Sequence, residues 1–282
     1  MISLVVATKG RVAEIGALFD SLEAQEPPFE VILVDQNGDG RLDALAAAWA
    51  PRMPLTHLRM AVANANAGRN LGLRHARGAL VAFPDDDCLL KPGTLAQVRA
   101  AFAAPSLAVL TGPAEAPGGG LGSGRWRTEA GPITLANVWT SVIEFNLWLR
   151  RDVALELGGF DEQMGPGARF GSAEGNDLVC RALSAGHRAH YDPALRVVHP
   201  DKRLTPEAVE RAGRYGLGLG FALRRHGVPL VTWAPFLYRP LAGAALSLLR
   251  GRALHARYYW ATARGRLAGM RAAPLPWPEA MR

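Results

Sequence analysis

The run Val81-Ala82-Phe83-Pro84-Asp85-Asp86-Asp87 constrains this chain more than any other. It opens as an apolar strand that has to be buried. It closes on three carboxylates that repel one another and cannot leave water without a positive neighbour. The fold must therefore carry a buried strand to an edge where cations can reach its end. A divalent cation is one such neutraliser, since hard carboxylate oxygens suit Mg²⁺ or Mn²⁺. On an extended backbone Asp85 and Asp87 fall on the same side, placed to grip one metal and its diphosphate ligand together. A solvated acidic turn after a strand accounts for the same residues equally well.

A β/α rhythm surrounds this run. Residues 2–7 read as a buried strand, after which Val12, Ile15, Leu18, Phe19 and Leu22 recur at helical spacing. A second strand at 30–34 ends at Asp35 and is followed by a Gly-rich turn and a helix over 42–49. A third strand at 55–61 leads to a polar-faced helix over 67–77, and residues 79–83 form the fourth strand. Pro92 opens the next helix, where its missing N–H is harmless, and a strand follows at 107–111. Alternation of this kind predicts an α/β fold with a mostly parallel, Rossmann-like sheet flanked by helices. Ligands of such sheets bind beyond the carboxyl ends of the strands, where Thr8, Asp35 and Asp85–Asp87 fall. The rhythm breaks over 112–131, whose glycines and prolines mark a lid or binding loop. A strand at 142–149, a helix over 152–157 and a helix starting near Ala173 come after it.

Charge is distributed unevenly. Residues 1–201 carry 18 Lys/Arg against 22 Asp/Glu, whereas residues 202–282 carry 14 against 3, a net −4 beside a net +11. A mildly acidic body thus ends in a basic extension, an asymmetry that points to an anionic partner. Cys88 and Cys180 have no metal-type spacing and read as reduced, buried thiols. No signal-peptide pattern opens the sequence and no apolar run has transmembrane length, so the expectation is a cytoplasmic protein.

Several segments together resemble a known family. Val5-Val6-Ala7-Thr8-Lys9-Gly10-Arg11 is similar to the first strand and nucleotide-binding turn of family 2 glycosyltransferases, although Lys9-Gly10 departs from their usual pair. Val34-Asp35-Gln36-Asn37 resembles their second strand end, and Asn66-Ala67-Gly68-Arg69-Asn70-Leu71-Gly72 their diphosphate region. Asp85-Asp86-Asp87 falls at their D-x-D motif. Gly158-Gly159-Phe160-Asp161-Glu162 and Tyr191-Asp192-Pro193 through Val198-His199 match two further segments. Each is weak alone; six in order are strong. The resemblance implies a GT-A fold over 1–200, with a nucleotide-binding half to about residue 111 and an acceptor half over 112–200. A basic helical extension over 201–282 follows.

By the same resemblance, Thr8, Arg11, Asp35, Asn66, Arg69, Asp85 and Asp86 bind the nucleotide sugar. Asp87, with Asp85 and His199, holds Mn²⁺ or Mg²⁺; a strand-end histidine of no chemical role is the other reading of His199. The family's base lies in an E-D-x-D-L segment, which here reads Glu174-Gly175-Asn176-Asp177-Leu178. Gly175 replaces one acid, leaving Glu174 as first choice for the base and Asp177 as second, the latter also free to pair with Arg181. Trp126, beside the flexible loop, is the candidate acceptor contact, although such residues more often anchor loops.

The implied activity is inverting, metal-dependent transfer of a sugar from a nucleotide-sugar donor to a glycan or lipid-linked acceptor. A catalytically impaired nucleotide-sugar-binding protein is the alternative. A phosphate-transferring hydrolase fits poorly, because such enzymes carry their D-x-D on the first strand. The extension mixes Leu254, Tyr258, Trp260 and Leu267 with arginines over 250–271, which suits an interfacial helix on an anionic membrane surface. A helical cap with solvated arginines explains the same composition. No nucleic-acid recognition pattern is visible.

Overall fold

Strand β1 (Ile2–Thr8) is buried along its length, and a strand covered on both faces needs helices on both sides. In the computed structural model, which describes residues 1–122, 124–201 and 203–273, the connections supply them. Helix α1 (Ala13–Glu23) turns Ile15, Leu18, Phe19 and Leu22 inward. It is followed by β2 (Phe29–Asp35), α2 (Asp43–Trp49), β3 (Leu55–Arg59), α3 (Ala65–His75) and β4 (Leu80–Ala82). Next come β5 (Leu89–Leu90), α4 (Thr94–Ala101), β6 (Leu107–Thr111), β7 (Ala114–Glu115) and β8 (Gly131–Pro132). Then follow β9 (Leu147–Arg150), α5 (Arg151–Glu156), α6 (Glu174–Ser184), β10 (Arg188–Tyr191) and β11 (Val197–Val198). Four helices end the described chain: α7 (Pro206–Arg225), α8 (Leu230–Trp233), α9 (Pro235–Leu249) and α10 (Ala253–Arg271). Residues 202 and 274–282 of the expected extension lie outside the described residues.

The chain divides into two compact units, residues 1–160 with 178–201 and residues 161–177 with the described part of 202–282. The first contains an eight-stranded sheet in the order β3-β2-β1-β4-β9-β6-β10-β8 and a small sheet in the order β5-β11-β7. In the large sheet β1 pairs parallel with β2 and β4, β2 with β3, and β6 with β10. Strand β9 is antiparallel to both β4 and β6. The expected sheet, mostly parallel and flanked by helices, is therefore present.

Alternation along β1 sorts its side chains. Ile2, Leu4 and Val6 join the cluster that includes Phe19 of α1 and Val98 of α4. Val5 meets α3 on the other face, at Gly72, where a Cβ would lie 2.3 Å from Val5 Cγ1. Only glycine lets α3 come that close.

Two expectations need correction. The strand expected over 142–149 occupies only Leu147–Arg150, because residues 144–146 wind into a 3₁₀ turn. There the Asn146 amide donates to the Pro113 and Leu195 carbonyls at 3.1 and 2.7 Å, bonds that an extended ladder would not supply. Pro92 does not open α4; the helix starts at Thr94 after Gly93 at φ +80°. The Thr94 hydroxyl instead closes a turn on the Lys91 carbonyl at 2.7 Å.

Glu30 of β2 is a buried charge with its partners built in. Its Oε1 accepts from the Ser3 hydroxyl and the Arg77 backbone N–H, both at 2.7 Å, and its Oε2 from Arg77 Nε at 2.9 Å. Burial pushes the Glu30 carboxyl up, but the Ser3 and Arg77 hydrogen bonds together outweigh it and hold the group below the ordinary value of 4.5. A depressed folded-state value means that the stabilisation is complete above about 4.5 and is lost as pH falls through that lower value. Glu30→Gln should cost about 1–3 kcal/mol at neutral pH. Urea unfolding at stepped pH should show this gap closing as the parent carboxylate protonates in acid.

Candidate active site

The acidic run sits where β4 ends, and the backbone there is a turn, the Cys88 N–H donating to the Asp85 carbonyl at 3.1 Å. The extended geometry expected for Asp85 and Asp87 is thus replaced by a tighter one. Asp86 points back to β1: the Thr8 hydroxyl donates to its Oδ2 at 2.6 Å and the Arg11 guanidinium binds its Oδ1. Arg11 also reaches Asp87 Oδ2 at 2.9 Å. Burial pushes the Asp86 carboxyl up, and Asp85 and Asp87 add to the rise against the hydroxyl of Thr8 and the charge of Arg11. Cys88 behind the turn is fully buried, and burial lifts its thiol well above the ordinary range. It is an inert structural thiol.

Arg69 of α3 balances the third acid. Its Nη2 donates to Asp85 Oδ1 at 2.8 Å and its Nη1 to Asn66 Oδ1 at 2.9 Å, with the guanidinium 5.3 Å from the Phe160 ring centroid. Two arginines therefore supply part of the positive charge for which a divalent cation is one candidate. The next residue on α3, Asn70, clamps Phe160, donating to its carbonyl and accepting from its N–H, both at 2.8 Å. Gly159, at φ +74°, makes the clamp possible, since a Cβ would lie 2.3 Å from Asn70 Oδ1. Arg181 of α6 holds the same segment by its bonds to the Leu157 and Gly159 carbonyls at 2.7 and 2.8 Å. Asn70 stood in the sequence motif, but its structural duty toward Phe160 had no sequence signal.

Asp35, fully buried at the end of β2, accepts from the Asn37 N–H at 2.8 Å and the Asn37 amide at 2.7 Å. His57 Nε2 lies 3.2 Å from its other oxygen. Asn37 Oδ1 in turn accepts from the Gly10 N–H at 2.7 Å, where φ is +83°. The unusual Lys9-Gly10 pair thus provides the left-handed turn that ties the β1 end to the β2 end. Asp35, Asp43 and His57 bring ligand-type atoms together, but Asp43 is bound to Arg59 and Asp35 to Asn37 and His57.

Asp85, Asp87 and His199 form the other such cluster, one ligand atom of each lying within 4.8 Å of the others. His199 stacks on Phe145 with centroids 4.6 Å apart, and its Nδ1 faces the Pro200 carbonyl at 2.8 Å. A carbonyl only accepts, so Nδ1 carries a proton, and a neutral ring would present its lone pair on Nε2. Nε2 lies 3.4 Å from Asp87 Oδ1, a buried oxygen with no hydrogen-bond partner. With the ring neutral, these two acceptors facing each other beside the Asp85 carboxylate fit a hard divalent cation. The donor set, two carboxylates and one imidazole, suits Mn²⁺ or Mg²⁺.

Trp126 is half-buried against the small cluster of Cys88, Ala114, Phe145 and Val197, and its Nε1 donates to the Gly122 carbonyl at 3.3 Å. Trp148 is fully buried in the main core. In the second unit, Glu174 opens α6 and is almost completely buried. The residue before it, Ala173, has φ +68°, a left-handed backbone that costs a non-glycine residue about 1 kcal/mol. Asp177, one turn on and fully buried, is 2.9 Å from His226 Nε2 and 3.7 Å from Arg225, which also binds Asp161.

A model of glycosyl transferase family 2 matches residues 3–157, more than half of the chain. The chain belongs to that family. This glycosyltransferase is 28% identical over 225 residues, 69% of its length, to the O-antigen biosynthesis protein RfbC of Myxococcus xanthus, of which it spans only 18%. Residues 1–349 of S. aureus TarS superpose with a TM-score of 0.61 at 17% identity, over 93% of this chain and 90% of that one. The mannosyltransferase PcManGT of Pyrobaculum calidifontis, solved with GDP-Man and Mn²⁺, gives 0.62 at 21% identity, over 94% and 86%. These likenesses establish the GT-A fold of the glycosyltransferase.

The clamp yields a stability prediction. Asn70→Leu, which strips two bonds from the buried Phe160 backbone, should lower stability by about 2–5 kcal/mol, read from the midpoint of urea unfolding.

Proposed function

We propose that this glycosyltransferase moves one sugar from a nucleoside diphosphate sugar to a glycan or lipid-linked hydroxyl, inverting the anomeric centre with the aid of Mn²⁺ or Mg²⁺. The observation that carries the reading is the facing pair of Asp87 Oδ1 and His199 Nε2, 3.4 Å apart beside Asp85. Asp85, Asp87 and His199 would hold the cation. When bound, it neutralises the charge that gathers on the departing diphosphate. The donors bound by TarS (UDP-GlcNAc) and PcManGT (GDP-Man) support a nucleotide-sugar donor. RfbC's part in O-antigen biosynthesis supports a glycan acceptor.

Each protein group has a task in this reading. Asp35, fixed by Asn37 and His57, meets the nucleoside end of the donor. Thr8 and Arg11 hold Asp86 and keep the acidic turn in place, while Arg69 and Asn66 orient Asp85 toward the ribose or sugar. The acceptor oxygen attacks the anomeric carbon as the bond to the β-phosphate oxygen breaks, and its proton passes to a carboxylate. Glu174 is our choice for that base; Asp177 is committed to His226 and Arg225. Trp126 is our candidate for an acceptor contact.

The metal site is tested by thermal shift with UDP-, GDP-, dTDP- and CMP-sugars, each with and without Mn²⁺. One donor should stabilise the parent only when metal is present, and Asp87→Ala should lower that affinity more than about tenfold. Donor binding that ignores both metal and the substitution refutes the site.

The two acids separate by readout. Glu174→Gln should keep donor binding and lose about 10²–10⁴ in kcat. Asp177→Asn should chiefly lose stability, by about 1–3 kcal/mol, because it weakens a buried polar network with His226 and Arg225. A Glu174→Gln variant with parental turnover removes Glu174 as base. A parent that binds donor but transfers nothing to any acceptor favours the impaired, binding-only reading suggested by Gly175.

A further inference from the structure

We infer that the exposed face of α9, with the turn that joins it to α10, is a docking surface for an anionic lipid bilayer. A helix in water turns its apolar stripe inward and its polar residues outward. In α9 the arrangement is reversed. Its buried positions are Pro240, Ala244 and Ser247, whereas Leu241, Leu246, Leu248 and Leu249 stand exposed. Leu248 and Leu249 keep 67% and 86% of their surface in contact with solvent, so nothing in the described chain covers them.

The concentration of such residues is local. Among the described residues sixteen large apolar side chains are exposed, and nine of them lie between Leu230 and Trp260. Scattered singly they would carry no message, but their concentration on three consecutive helices, α8, α9 and α10, is of the kind that marks an interaction site.

One helix pair of the unit is held without large side chains. Helices α7 and α10 approach backbone to backbone through glycines. A Cβ on Gly220 would lie 2.1 Å from the Arg266 carbonyl oxygen, and one on Gly269 would lie 2.1 Å from that of Leu217. Small-residue contact of this type holds helices together without using large apolar side chains. Those side chains are left free for a partner.

Charge selects the partner. From Arg211 to Ala273 the sequence holds eleven arginines and no aspartate or glutamate. Arg239, Arg250, Arg252 and Arg257 are exposed on α9, α10 and the turn between them. Arg250 and Arg252 directly follow Leu248 and Leu249, so apolar insertion and cationic contact occur at one place. Arginines beside an inserted leucine pair can keep their guanidiniums at headgroup level while their stems lie along the apolar surface. Each basic residue near an anionic leaflet adds to the attraction. Among the described residues no helix is long and apolar enough to cross a membrane, and α9 has only fifteen residues with Pro240 inside it. The helix therefore lies on the bilayer. The sequence reading had placed interfacial contact on the stretch 250–271; the exposed leucines move its apolar part to α9.

The test is co-sedimentation of the full chain with vesicles of phosphatidylcholine alone and of phosphatidylcholine mixed with phosphatidylglycerol, at low and high salt. Binding should require the anionic lipid and weaken with salt. Leu248→Asp with Leu249→Asp should lower the partition coefficient at least about tenfold, and Arg250→Glu with Arg252→Glu should do the same at low salt. Both pairs are exposed, so circular dichroism melting should match the parent. Leu241→Asn with Leu246→Asn on the same helix provides a second folded test. Parental binding by the folded leucine variants overturns the proposal, as does a folded parent that ignores anionic vesicles. Equal binding to neutral vesicles overturns the anionic selection. Self-association of the parent that the leucine variants abolish, without lipid binding, reassigns the face to a second copy of the chain.

Discussion

Three adjacent carboxylates can share one turn only where their charge is answered, and much of the first unit is arranged to answer it. Arg11 comes from the loop after β1 and Arg69 from α3, so the acidic turn at the β4 end is held by elements on both sides of it. Neither arginine is replaceable by solvent, because Asp86 is buried and Asp85 is partly so. Two guanidiniums against three carboxylates leave one negative charge over. Asp87 Oδ1, which no hydrogen bond satisfies, faces His199 Nε2 at 3.4 Å. The site is thus balanced enough to fold and unbalanced enough to receive a cation.

Around this centre the structure spends polar side chains on fixing loops. Asn70 reads both backbone groups of Phe160, Arg181 holds the carbonyls before it, and Asn146 bonds two carbonyls from separate segments. Buried amide and guanidinium groups of this kind meet the hydrogen-bond demand of backbone that belongs to no ladder. Rigid loops matter here because the acidic turn, the Asn37 turn and the His199 strand end all come from such segments. A functional group on a loop is only as well placed as the bonds that hold the loop.

The second unit follows a different rule. Two of its helices, α7 and α10, meet through glycine, and its exposed large apolar residues gather on α8, α9 and α10 beside arginines. Within the same unit, buried Asp161 and Asp177 are paired with Arg225 and His226, so its charges are divided between a buried network and a basic exterior. A unit built this way gains little from burying its own leucines, and its surface is that of a chain with a partner to meet.

The sequence by itself determined the β/α succession of the nucleotide half, the family, and the placement of Thr8, Asp35 and the acidic run at strand ends. Those features rest on local periodicity and on residue types at short spacing, which a single chain displays openly. The short strand at Leu147 and the left-handed Gly93 start of α4 were hidden, because side-chain bonds to distant carbonyls overrode propensity there. Likewise no spacing could tell that Arg11 and Arg69 share the acids, that Phe145 stacks on His199, or that His226 claims Asp177. These pairs are separated by tens of residues, and only the folded chain brings them within reach. The sequence also showed that the extension was basic and apolar, yet which side of α9 faced outward, with Pro240, Ala244 and Ser247 buried and the leucines exposed, was settled only by packing.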